Sequence, residues 1–131
     1  MHKYNILTLG PSGAGKTVFL ASLFKSLSIQ GESGFFIKVE DEKKRNLLNK
    51  IYTELVSGEK WPAGTTGAVN EWTFTCCVKT PDLDDYSACQ FTYLDYAGKL
   101  LTEFEAEDAG GHNFQSSVKK ADAVLAILDG F

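Results

Sequence analysis

The residues with the clearest chemistry in this 131-residue chain form the stretch GPSGAGKT, residues 10–17. It fits the pattern G-x-x-x-x-G-K-[ST], typical of a loop that holds a nucleotide phosphate. The glycines allow a tight curl whose backbone N–H groups point at one anion. Lys16 would reach the β- and γ-phosphates, and the Thr17 hydroxyl would ligate Mg²⁺. The predicted nucleotide-binding residues here are Gly10, Pro11, Ser12, Gly13, Ala14, Gly15, Lys16, Thr17 and Val18.

A second metal ligand is expected near this loop, because Mg²⁺ at a nucleotide usually also needs an acid at the end of a neighbouring strand. The segment FTYLDYAG supplies Asp95 after an apolar run, and Gly98 follows three residues later. A glycine there can offer its backbone N–H to a γ-phosphate and shift when that phosphate leaves. We therefore predict Asp95 as a metal ligand, with Thr17, and Gly98 as a further nucleotide-binding residue.

The segment WPAGTTG contains two candidates for a threonine that completes the Mg²⁺ shell when a triphosphate is bound. We favour Thr65, because it directly follows the P-A-G turn, although Thr66 stays open as an alternative. Lys16 and Thr65 are thus the predicted catalytic residues. A solvated turn is the alternative interpretation of the same segment.

The elements around these segments predict an α/β fold of the P-loop NTPase type, as one domain over residues 1–131. An apolar strand before the loop and an amphipathic helix after it form the context that the phosphate-binding motif requires. The sheet is expected to be mostly parallel, with one antiparallel hairpin strand. Predicted strands lie in YNILTL, GFFIKVE, NEWTFTCCVKT, SACQFTYLDY and residues 123–128, the last one buried; predicted helices lie in KTVFLASLFKSLS, DEKKRNLLNKIYTELVSG, residues 100–107 and a short stretch before residue 123.

Composition narrows the class of protein. The net charge is −4 with acids and bases interspersed, which argues against nucleic-acid binding and a polybasic membrane contact. No apolar run reaches membrane-spanning length. The chain has three cysteines, and their spacing matches no metal-binding motif. Cys76 and Cys77 are adjacent in a predicted strand, so their side chains should point to opposite faces. This pattern favours a reducing, cytoplasmic setting. Because the chain stops just after a strand, we expect an N-terminal portion of a longer protein.

The order of GPSGAGKT, WPAGT, LDYAG and ADAVLAILDG resembles the P-loop GTPases of the translation-factor-related (TRAFAC) class. Within it, the chain is most similar to the bacterial double-GTPase type, whose members carry a strand and helix before a W-P-x-G-T switch. The resemblance covers essentially the whole chain. It implies Mg²⁺-dependent GTP binding, slow hydrolysis, a conformational switch, and a protein effector or regulator as partner.

Two differences between this sequence and the pattern of that GTPase class keep other functions open. Lys99 follows D-Y-A-G where many relatives carry glutamine or glutamate, and a lysine cannot accept a hydrogen bond from the attacking water. The motif that reads guanine follows the next strand in such proteins, beyond this chain. The alternatives are an ATP-using P-loop ATPase or kinase, and a regulatory module that binds nucleotide without hydrolysing it. A kinase lid rich in arginine is disfavoured, since Arg45 is the one arginine.

Overall fold

The computed structural model describes residues 1–11, 15–29, 34–58, 69–82, 86–96 and 116–128. Within these ranges the chain forms a five-stranded mixed sheet flanked by helices, which confirms the predicted α/β fold of the P-loop NTPase type. Residues 116–120 form a further short helical stretch. The elements are β1 (His2–Leu9), α1 (Lys16–Leu27), β2 (Phe35–Lys38), α2 (Glu42–Ser57), β3 (Val69–Val78), β4 (Tyr86–Tyr96) and β5 (Ala123–Ala126).

The sheet has the strand order β2-β3-β4-β1-β5. Strand β1 runs parallel to both β4 and β5, so their carboxyl ends meet at one edge, where ligands of such sheets bind. Strand β3 is the predicted antiparallel hairpin strand and pairs with β4. It also pairs in antiparallel fashion with β2, so the sheet has two antiparallel pairs where the hairpin alone predicts one.

The two helices form where their caps and apolar spacing predict them. Helix α2 begins after Asp41, whose side chain accepts a hydrogen bond from the Lys44 backbone N–H at 3.1 Å, and it ends at Gly58 in the left-handed conformation with φ 70°. Such an N-cap and C-cap satisfy backbone groups that a helix end leaves unpaired. Both helices pack into one core with β2 and β3; its buried members are Leu20, Ala21, Phe24, Ile37, Val39, Leu48, Ile51, Trp72 and Phe74.

Two expectations about the strands and helices are wrong on the described residues. Strand β5 is not buried: Val124 is 56% exposed, and the strand ends at Ala126 rather than at residue 128. The reason is its place in the sheet, since β5 pairs with β1 alone among the described strands and so lies at an edge. The amphipathic pattern of the segment KTVFLASLFKSLS also predicts burial of its apolar residues, whereas Phe19 in α1 is exposed. The predicted helix at residues 100–107 lies outside the described residues.

None of the described helices is both long and apolar enough to cross a membrane.

Candidate functional site

The N-terminus of α1 lies at the carboxyl edge of the sheet, where it can bind an anion. The helix starts at Lys16, directly after Gly15, which has φ 101° in the left-handed region that favours glycine. Among the described residues, no side chain caps this end with a hydrogen bond, and the first turn carries no acidic residue. The first N–H groups of a helix have no partner within it, and they carry a partial positive charge. Such an end is suited to bind an anion such as a phosphate.

Lys16 is held over this end by the backbone of its own loop. The side chain is only 4% exposed, and its ammonium donates hydrogen bonds to the carbonyl oxygens of Gly10 at 2.8 Å and Pro11 at 3.2 Å. A buried ammonium requires such partners, because burying an unpaired charge is costly. An ammonium has three donors. The described residues accept two of them, which leaves the third donor available for an anion in the loop.

The first glycine of the motif has a packing role that its position in the pattern does not reveal. A Cβ atom added to Gly10 would overlap the carbonyl oxygen of Ile127. The backbone after β5 is fixed at that place by a hydrogen bond of 2.8 Å from the Ile127 N–H to the Leu9 carbonyl. Gly10 is therefore required by a close approach of two backbone segments, where no side chain fits.

Asp95 lies at the carboxyl end of β4, facing the start of α1. It is fully buried, and its Oδ2 accepts a hydrogen bond from the Thr17 hydroxyl at 3.4 Å, although the two residues are 78 positions apart. This distance is longer than the 2.5–3.0 Å usual for O–H···O hydrogen bonds. The register of β1 and β4 places Thr8 opposite Asp95.

Thr8 is the site residue that sequence reasoning missed. Its side chain is fully buried, and its hydroxyl has no hydrogen-bond partner among the described residues. A hydroxyl inside the apolar run YNILTL, directly before the glycine-rich loop, was the signal that could have found it. It adds an oxygen atom beside Asp95 on the same edge of the sheet.

The family model Double-GTPase 1 matches residues 7–129, from within β1 to beyond the end of β5. The chain belongs to the Double-GTPase 1 family. This confirms the resemblance to the double-GTPase type and indicates GTP binding and hydrolysis as the class of activity. No curated protein matches the chain.

The side chains that this Double-GTPase 1 member brings together fit a hard divalent cation. The Asp95 carboxylate and the Thr17 hydroxyl are oxygen donors, which suit Mg²⁺. The described residues contain no group of three or more His, Cys, Asp or Glu side chains that could hold a metal alone. Mg²⁺ ordinarily keeps several waters and binds through one or two protein groups plus substrate phosphates. The two donors therefore suit a metal that arrives with a nucleotide.

The structure places most of the predicted loop residues at one place. Gly10, Pro11, Gly15, Lys16 and Thr17 lie at the carboxyl edge of β1, and Asp95 joins them from β4. Val18, half-buried in the first turn of α1, follows them. The other predicted residues, Ser12, Gly13, Ala14, Thr65, its alternative Thr66, Gly98 and the divergent Lys99, lie outside the described residues.

Proposed function

We propose that this chain binds Mg²⁺–GTP in the loop of residues 10–17, hydrolyses the γ-phosphate slowly and changes conformation with the nucleotide state. The observation that carries the proposal is the convergence of Lys16, Thr17 and Asp95 at the open amino end of α1. This site combines a positively charged hydrogen-bond donor, a helix dipole and two oxygen ligands. A nucleoside triphosphate and its metal require these groups. Membership of a GTPase family supports guanine over adenine.

Each residue has a separate role in this proposal. Lys16, held by two loop carbonyls, contacts the β- and γ-phosphates through its remaining donor. Thr17 and Asp95 hold Mg²⁺, which when bound neutralises charge on the phosphate oxygens. Thr65 and Gly98, which lie outside the described residues, contact the γ-phosphate and sense its loss.

The hairpin links the two segments that would sense the γ-phosphate. Strand β3 follows the segment with Thr65, and β4 leads into the segment with Gly98. The pairing of the two strands begins with Val69 opposite Tyr96, so both segments adjoin the same end of one hairpin. A backbone shift in one segment therefore acts directly on the strand that carries the other.

The first test is a competition titration in which GTP, GDP, ATP and ADP displace a fluorescent nucleotide in the presence of Mg²⁺. Lys16→Ala removes a charge-assisted contact worth about 1.5–3 kcal/mol, so GTP should bind roughly ten- to a hundredfold more weakly. Lys25→Ala is the matched control, since Lys25 is an exposed lysine in the last turn of the same helix. Equal or stronger displacement by ATP would refute the guanine assignment, and equal losses in both variants would refute the role of Lys16.

The metal role of Asp95 is tested by titrating Mg²⁺ at fixed GTP. Asp95→Asn should remove most of the dependence of GTP affinity on Mg²⁺, because the amide carries no negative charge for the cation. Asp82→Asn is the control, since Asp82 is exposed in the turn after β3. An unchanged Mg²⁺ dependence in Asp95→Asn, with the fold intact by circular dichroism, would exclude Asp95 as a ligand.

A second candidate function is nucleotide binding without hydrolysis, and Lys99 is the observation that favours it. A lysine side chain has donors but no acceptor, so it cannot orient an attacking water as glutamine does. Single-turnover hydrolysis of bound GTP separates the two functions. The proposed GTPase predicts measurable phosphate release that Lys99→Gln accelerates, whereas a binding module predicts no release in the unmodified protein.

A further inference from the structure

Two of the three cysteines face each other across the β3–β4 hairpin. Cys76 and Cys89 are direct partners in the register of this antiparallel pair. Opposed Cα atoms in antiparallel strands lie about 4.5–5.5 Å apart in either hydrogen-bonding pattern. A disulfide requires Cα atoms about 4.4–6.8 Å apart. The hairpin therefore already holds these two cysteines within bridging distance.

The third cysteine is excluded from this pair by the strand geometry. Neighbouring residues in a strand point to opposite faces, and Cys77 is 2% exposed whereas Cys76 and Cys89 are half-buried. The register also shifts between Cys76 and Cys77, so that Cys77 lies opposite Ser87. The Cys77 sulfur is 4.0 Å from the Ser87 hydroxyl. Among the three thiols, only those of residues 76 and 89 can join without rearranging the sheet.

The surroundings of Cys76 give its side chain room to adopt a bridging rotamer. Cys76 lines an apolar cavity of about 120 Å³ whose wall also includes Leu27 of α1 and Phe91 of β4. Burial, and secondarily the neighbouring Cys89, raise the pKa of the Cys76 thiol. Joining two thiols requires an external oxidant that accepts two electrons.

We propose that Cys76 and Cys89 form a reversible cross-strand disulfide when the protein meets a low-molecular-weight disulfide such as glutathione disulfide. One cysteine thiolate attacks the glutathione disulfide, forming a mixed disulfide and releasing one glutathione. The second cysteine thiolate then displaces the other glutathione. The sulfur–sulfur bond of the oxidant is broken and one is formed in the protein. Two cysteines are oxidised, and the two glutathione molecules that leave carry the two electrons and two protons.

The disulfide would act as a clip at one end of the hairpin. It closes a loop of roughly a dozen residues that includes the β3–β4 turn, which restricts the unfolded chain and stabilises the folded one. Asp95 lies six positions further along β4 than Cys89, which is roughly 20 Å at the rise of a strand. The clip is therefore expected to stabilise the hairpin and to leave the nucleotide loop unchanged.

The experiment compares the whole 131-residue chain after incubation with glutathione disulfide and with dithiothreitol. Peptide mapping of the oxidised protein should give one intramolecular link, between Cys76 and Cys89, with a loss of two hydrogens in the intact mass. The melting temperature should rise by about 5–10 °C and return on reduction. Cys77→Ala should keep the link and the rise, whereas Cys76→Ser and Cys89→Ser should abolish both.

Melting curves of every variant under reducing conditions show that each is folded before oxidation. If Cys77→Ala does not fold, the peptide map of the unmodified protein decides alone. A map with no link between Cys76 and Cys89, or with links involving Cys77 in similar amount, would overturn the proposal. A disulfide that forms without any rise in melting temperature would refute its stabilising role in the hairpin.

Discussion

Replacing Gly10 by alanine tests whether the chain after β5 fixes the start of the phosphate-binding loop. The added methyl group would overlap the Ile127 carbonyl oxygen. That oxygen belongs to backbone anchored on Leu9 by a hydrogen bond of 2.8 Å, so it cannot swing aside as a side chain would. Gly10 is not among the described glycines with positive φ. The loss of folding stability on substitution is therefore due to this overlap and not to backbone strain at positive φ.

The size of the effect follows from this geometry. Inserting a methyl group into a packed site without room costs about 1–3 kcal/mol. For a domain of this size 1 kcal/mol lowers the melting temperature by roughly 3–5 °C, so a fall of about 3–15 °C is expected. The backbone displacement that relieves the overlap would also move the Gly10 carbonyl, which accepts a hydrogen bond from Lys16. GTP affinity should therefore fall by about tenfold, which corresponds to about 1.4 kcal/mol.

Thermal unfolding by circular dichroism and a fluorescent-GTP titration measure the two effects. Gly34→Ala is the control. Gly34 has φ +77°, and no atom of the described residues lies within 4 Å of an added Cβ. This variant should therefore lose about 1–2 kcal/mol of folding stability through backbone strain alone. It should keep the affinity for GTP. If Gly10→Ala melts within a degree of the unmodified protein and binds GTP equally well, the close approach of Ile127 is refuted.

Three further predictions concern the fold. Leu48→Ala should lower the free energy of unfolding by about 2–5 kcal/mol in urea, since Leu48 is fully buried, whereas Leu47→Ala at a 45%-exposed position should change little. Asp41→Ala should cost about 1 kcal/mol in the same assay, because it removes the α2 cap on Lys44; no change would contradict that cap. Burial raises the pKa of Tyr93 above its usual 10.0, so folding stability should fall as pH rises above 10, and Tyr93→Phe should make urea unfolding less dependent on pH there.

The sequence predicts helices α1 and α2 and picks out Lys16, Thr17 and Asp95, because these predictions depend on local signals. Helix α2 is bounded by an acid that caps its start and a glycine that ends it, and both signals are local. The glycine-rich loop predicts Lys16 and Thr17 by pattern, and Asp95 follows from its place after an apolar strand. The structure brings the last two side chains within 3.4 Å of each other.

What the sequence did not predict depends on which segments become neighbours. The overlap at Gly10 involves Ile127, more than a hundred positions away, and no local pattern reports such a contact. An apolar run such as residues 123–128 predicts burial, but burial depends on whether another element covers the strand. Likewise β2 precedes a helix as a parallel strand would, yet its pairing with β3 is antiparallel.

Strand β4 ties the site and the cysteine pair into one element, and this makes the two proposals separable. Asp95 lies near its carboxyl end and Cys89 near its amino end. An intact strand between them transmits no change of affinity by itself, because a ligand shifts an equilibrium only through contacts that differ between two states. If no disulfide forms between Cys76 and Cys89, the proposal for the nucleotide site is unaffected. If GTP does not bind, the proposal for the disulfide is unaffected.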